Sequence, residues 1–148
     1  MYRKTRIFAT LSLFVFALGF SSNAVAHCSE ATLHGSYGLH ATGVNPAGSV
    51  ASVGRFTFDG KGNLTGTLYL RVATGANIVL DITGTYSVTP ECIVTDTWNF
   101  TGGSSTHTSV IVHSGDGYFI LNTTTGETSV ISGEAQRQRL SIRDIDND

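Results

Sequence analysis

The chain has 148 residues, of which 41% are hydrophobic and 14% charged, with a formal charge of −2. That is material for one ordinary domain and too little for two. Nine Lys and Arg against eleven Asp and Glu argue against a nucleic-acid partner, which needs a clustered basic surface, and against docking on anionic membranes.

The first predicted element is an export signal. Arg3, Lys4 and Arg6 form a basic n-region, Ile7 to Phe20 is apolar apart from Thr10, Ser12 and Gly19, and Ala24-Val25-Ala26 has the small-x-small pattern of a signal-peptidase site. The apolar run is short of the ~20 residues that a membrane span requires, and no later run is longer. His27 stands where a lipid anchor on Cys28 would need a small residue. The expectation is a signal peptide over 1–26, cleaved to release a single domain over 27–148 to the periplasm or the medium, with no membrane insertion. The leader removes three basic residues and no acids. The mature chain then carries six basic and eleven acidic residues, a formal −5.

Cys28 and Cys92 are the two cysteines. An even count in an exported chain reads as a disulfide, here a staple from the mature N-terminus to the middle of the fold. A redox role would want a close pair such as C-x-x-C, which is absent.

Beyond Cys28 apolar residues alternate with Thr, Ser and Gly at period two, with Gly, Asn and Asp clusters between the runs. Eight strands are predicted, at about 35–43, 50–58, 64–73, 78–88, 93–100, 106–113, 118–123 and 128–139. In the third, Leu64, Leu68, Leu70 and Val72 share the inward face. In the fourth, Ile78, Leu80, Ile82, Gly84, Tyr86 and Val88 do. In the fifth, Val94, Asp96, Trp98 and Phe100 do. One buried and one wet face is the mark of antiparallel sheet. Tight links such as Asp59-Gly60-Lys61-Gly62-Asn63 and Ser114-Gly115-Asp116-Gly117 supply the positive φ of hairpin turns. Sequential hairpins favour an up-and-down meander, and eight strands can close into a barrel that loses its edges. A two-sheet sandwich is the alternative. From Leu140 onward, Asp144, Asp146 and Asp148 make an acidic tail.

At Gly35-Ser36-Tyr37 the chain resembles the calycins, the lipocalin and avidin-like barrels, many of which open their first strand with Gly-x-Trp and carry Arg or Lys on their last. Tyr37 stands at the Trp position. The resemblance implies that Arg137 or Arg139 stacks on it as a cation–π lid over the closed end. Phe58 to Thr67 looks like the second hairpin of avidin-type barrels. Gly35-Ser36-Tyr37, Phe56 to Asn63 and Gly84-Thr85-Tyr86-Ser87-Val88 with Cys92 are most similar to small exported bacterial proteins of unknown role. Avidin-type pockets are walled by several tryptophans and this chain has only Trp98, which argues against biotin.

Four functional readings follow. The inward set Leu68, Leu70, Ile78, Leu80, Ile82, Tyr86, Trp98 and Phe100 suits a binding module for a small apolar or amphipathic ligand. Asp96, on an apolar face beside Trp98, must find a partner or hold its proton, and is the group that an enzyme like the allene-oxide-cyclase barrels would use. His27, if freed as a new N-terminus, would chelate copper through its amine and imidazole, with His107 and His113 as partners on one strand face. That face lies outward if Val110 and Val112 point in, and inward otherwise. The Thr-rich outer faces also fit a structural surface protein. No cofactor is expected apart from that copper alternative, and the oligomeric state is open.

Overall fold

The computed structural model describes residues 27–139; residues 1–26, predicted as an export signal, and 140–148 lie outside them. Eight antiparallel strands follow one another in chain order: β1 (His34–Asn45), β2 (Gly48–Asp59), β3 (Asn63–Val72), β4 (Asn77–Val88), β5 (Ile93–Phe100), β6 (Gly103–Val112), β7 (Gly117–Asn122) and β8 (Val130–Arg137). Each pairs with the next, and β8 returns to pair with β1, so the sheet is a closed up-and-down barrel and not a sandwich. Closure leaves no strand edge unpaired.

The period-two pattern is obeyed along most strands. In β4 every odd position from Val79 to Ser87 is exposed, while Ile82 and Tyr86 are buried. The turns follow from their side chains. In the β2–β3 turn the Asp59 carboxylate accepts from the backbone N–H of Lys61 (2.7 Å) and of Asn63 (2.9 Å), and Gly60 and Gly62 take the positive φ that the turn demands. Those hydrogen bonds, with a further one from the Asn63 side-chain amide first among them, hold Asp59 below the usual carboxylate range.

Alternate hairpins put the chain turns at two ends. The N-terminal segment with its 3₁₀ turn (Glu30–Thr32), the turns after β2, β4 and β6, and the end of β8 lie at one end. The turns after β1, β3, β5 and β7 lie at the other. Between them runs one apolar core that includes Tyr37, Phe56, Phe58, Leu64, Ile82, Trp98 and Tyr118. Its rings meet mostly edge to face, with Phe58 perpendicular to both Tyr37 and Tyr86, while Phe56 stacks on Trp98 at 4.4 Å.

Candidate functional site

The two ends differ in chemistry. At the N-terminal end the disulfide Cys28–Cys92 ties the 3₁₀ segment to the β4–β5 turn, and Leu33 is driven into the barrel floor. The Tyr86 hydroxyl donates to the Glu30 and Leu33 carbonyls, both at 2.9 Å, so that ring anchors the segment. Arg137 lies opposite Tyr37 in the β1–β8 register. Its guanidinium sits 5.2 Å from the Tyr37 ring centroid and donates through Nη2 to the Tyr37 hydroxyl (2.7 Å), the Gly115 carbonyl (2.9 Å) and the Thr32 carbonyl (3.2 Å). The Tyr37 hydroxyl in turn donates to the Gly115 carbonyl at 2.6 Å. Gly115 has φ +93°, and a Cβ there would meet the Thr32 carbonyl at 2.5 Å, so no other residue fits under the clamp. Arg139 instead reaches Asp116, and that hydrogen bond holds the Asp116 carboxyl low. This end is closed.

The opposite end opens into a cavity of about 500 Å³. Its apolar wall comes from β1, β3 and β4 and is formed by Leu39, Ala41, Leu68, Leu70, Leu80 and Ile82, with Ser52 of β2 between them. Trp98 and Phe100 of β5, Ile120 of β7 and Ile131 of β8 complete the ring, and Asn45, Pro46 and residues 126–129 rim the mouth. The polar residues within are concentrated on β6 and β7: Ser105, His107 and Asn122 line the cavity. His107 stands opposite Asn122 in the β6–β7 register and opposite Asp96 in the β5–β6 register.

Asp96 and His107 form the buried pair of this wall, with Oδ1 and Nδ1 2.7 Å apart and side chains no more than 7% exposed. Burial pushes the Asp96 carboxyl above the usual carboxylate range, and the hydrogen bond and charge of His107 pull against it. The His107 ring lies 4.0 Å from the Trp98 ring, which fixes both. Nearer the floor, the Ser109 and Tyr118 hydroxyls are buried without a hydrogen-bond partner among the described residues. Burial first, then the charges of Asp96 and of Tyr37, push the Tyr118 phenol far up.

The sequence-selected residues therefore separate into three places. Leu68, Leu70, Leu80, Ile82, Trp98 and Phe100 meet around the cavity. Ile78 and Tyr86 do not. Ile78 stands at the start of β4, 38% exposed, and lines a shallow groove on the outer surface with Tyr69 and Val79. Tyr86 is buried at the closed end, where its hydroxyl is committed to backbone. Cys28, Cys92, Tyr37 and Arg137 belong to that end as well.

The three histidines are not assembled. His107 is inside the barrel, whereas His113 has left β6: strand pairing ends at Val112, and His113 and Ser114 take φ of 52° and 56° in the turn. His27 lies exposed beside the disulfide at the closed end. Among the described residues no group of three or more His, Cys, Asp or Glu is arranged to hold a metal ion. The face of β6 is settled as well: His107, Ser109 and Ile111 point in, and Val110 is 43% exposed. Sequence reasoning did not pair Asp96 with His107, although a two-residue Thr101-Gly102 turn would have done so: it sets Phe100 opposite Gly103, and four steps back along each strand meet at that pair.

No family model and no curated relative matches the chain. Among solved structures it is similar to the redesigned β-barrel mFAP1, bound to DFHBI, at 15% identity and a TM-score of 0.54, over 73% of this chain and 97% of that one. It is also similar to a de novo designed fluorescence-activating β-barrel, at 14% identity and a TM-score of 0.52, over 72% of this chain and 94% of that one. At these identities the likeness is one of fold.

Proposed function

We propose that this chain is a calycin-like binding protein that acts outside the cytoplasm and holds a small apolar or amphipathic molecule in its barrel. Residues 1–26 are the export signal in this reading, and 27–148 the mature domain. The observation that carries it is the cavity: about 500 Å³ at the end opposite the disulfide, with an apolar wall and a few polar groups gathered on one side. Ligand sites have that size and that mixture, whereas a barrel built for stability alone fills itself with side chains. The disulfide fits an oxidising compartment. A redesigned barrel of similar fold, mFAP1, was solved bound to DFHBI, which supports a small molecule as partner of such a barrel.

The test is titration with the environment-sensitive dye N-phenyl-1-naphthylamine. Saturable, one-to-one fluorescence enhancement is expected, and Leu80→Trp, which fills the cavity from the β4 wall, should abolish it while leaving the thermal midpoint within a few degrees. No saturable enhancement, or enhancement indifferent to Leu80→Trp, overturns the proposal.

The buried pair favours a barrel enzyme as the second reading. His107 and not Asp96 lines the cavity, so any proton exchanged with a bound molecule passes through the imidazole. Turnover of a bound molecule that stops in His107→Gln would decide for it.

A further inference from the structure

The polar side of the cavity has a direction. His107 uses Nδ1 for Asp96, which leaves Nε2 as its nitrogen for the cavity. Three sites share the protons of this pair: the carboxyl, Nδ1 and Nε2. A pair that is neutral overall holds two protons, and with one of them inside the Oδ1–Nδ1 hydrogen bond and Asp96 Oδ2 bare, the other sits on Nε2. Burial favours that neutral state, since an uncompensated charge in a dry interior is costly, and the upward push on Asp96 points the same way. His107 then presents an N–H.

Its neighbour Asn122 offers a donor as well. The Asn122 side-chain oxygen already accepts from the Thr124 backbone N–H at 3.2 Å, which leaves its NH2 group and one oxygen lone pair. Trp98 lines the cavity with its ring, while its Nε1 is buried away from that surface and has no partner among the described residues. These groups are adjacent: Asn122 is opposite His107 in register, and the Trp98 ring is 4.0 Å from the imidazole. Positive charge is missing from the set. Among the described residues no Lys or Arg lines the cavity, and the carboxylate there is Glu127 at the mouth, which repels an anion.

We infer that the cavity selects an uncharged, largely apolar carbonyl compound, such as a ketone, quinone or ester, with the carbonyl oxygen accepting from His107 Nε2–H beside Asn122 and the hydrocarbon body against Leu39, Leu68, Leu80 and Ile82. This rests on the binding reading above and specifies its ligand. A carboxylate finds no Lys or Arg among the described lining residues, and a guest that only donates is left to the Ser105 hydroxyl and the spare lone pair of Asn122. The facing wall offers only hydrocarbon and Ser52, whose hydroxyl is directed at the Ala41 carbonyl.

Three probes of matched shape separate the outcomes: 2-acetylnaphthalene, 2-ethylnaphthalene and 2-naphthoate, each titrated calorimetrically into wild type and into His107→Leu. The ketone should lose about five- to tenfold in affinity in the variant, the size of one hydrogen bond, while the hydrocarbon changes less than about twofold. The naphthoate should bind wild type about tenfold more weakly than the ketone, or not at all. Should His107→Leu not fold, the infrared carbonyl stretch of 2-acetylnaphthalene bound to wild type gives the answer: it should lie below its position in alkane solvent. An unshifted stretch, a parallel change for ketone and hydrocarbon, or naphthoate binding as well as ketone overturns the carbonyl assignment and leaves the binding reading standing. Failure of all three probes to bind wild type sinks both.

Discussion

Replacing Arg137 by Ala should unlock the closed end of the barrel. The guanidinium makes three hydrogen bonds through Nη2, to Tyr37, Gly115 and Thr32, and its Nε faces Asp116 Oδ1 at 3.4 Å. Hydrogen bonds from a charged donor contribute about 1.5–3 kcal/mol each when their acceptors are left bare. Two of these acceptors keep a partner, because Tyr37 and Gly115 remain bonded to each other at 2.6 Å. The Thr32 carbonyl loses its side-chain donor. With about 0.5–1 kcal/mol for the cation–π contact, the expected loss is about 3 kcal/mol. In urea unfolding under oxidising conditions this appears as a lowered midpoint at unchanged slope, and in calorimetry as a fall of about 10 °C for a domain of this size. Arg137→Lys should recover less than half of it, since one ammonium cannot reproduce a planar fork that serves three oxygens. An Ala variant within about 0.5 kcal/mol of wild type, or a Lys variant equal to it, would refute the clamp.

Other perturbations have definite signs. Cys28→Ser with Cys92→Ser removes a cross-link spanning 64 residues and should cost about 4 kcal/mol in the chain-entropy model, read as a urea-midpoint difference from the oxidised protein. Tyr118→Phe removes a buried hydroxyl that has no partner among the described residues and should raise stability by about 1 kcal/mol, an unusual sign for a core substitution; a loss of stability would show that the hydroxyl is satisfied. For Asp96, the folded carboxyl holds its proton more tightly than the unfolded one, so its contribution is greatest in acid and declines as pH rises from the unfolded carboxylate range through the raised folded value. The stability of wild type relative to Asp96→Asn should therefore fall across that window and level off above it. A relative stability that climbs with pH would mean that the fold favours the Asp96 anion.

The barrel was legible because β3, β4 and β5 set most of their apolar residues on one face, Tyr69 and Val79 being outward exceptions, and because Gly and Asn/Asp turns separate them. β6 was not. It carries Val110 and Val112 on one face and Ile111 with His107 and Ser109 on the other, so hydropathy alone gives no inward side. The register decides it: β6 must begin at Gly103 for its two-residue turn, yet Gly102-Gly103-Ser104-Ser105 reads as a loop, and the predicted strand begins at 106. The same slip hid the partner of Asp96. At the other end of β6, His113 looks like a further strand residue, but the turn needs three successive positive φ values there, which only the tertiary fit of Gly115 under Thr32 makes plain. Period two puts Ile78 on the same face as Leu80 and Ile82, yet it lies at the start of β4, opposite Leu70, and lines the outer groove instead. Tyr86 is on the right face at the wrong height, because parity gives the face and not the position along the barrel.

Height along the barrel is also what separates stability from function in this molecule. Below Phe56 and Phe58 the interior is aromatic and filled, and the polar atoms of Tyr37, Tyr86 and Arg137 are tied to backbone carbonyls. Above them the interior is under-filled, and it is there that an acid and an imidazole are kept in place of two aliphatic residues. A buried ion pair or its neutral equivalent contributes little to stability compared with well-packed hydrocarbon of the same volume. The pair borders the cavity, is braced by Trp98, and turns its free nitrogen away from Asp96. Its placement is thus better explained by what it offers a guest than by what it adds to the fold, and the Asp96→Asn comparison and the ketone titration examine those two contributions independently.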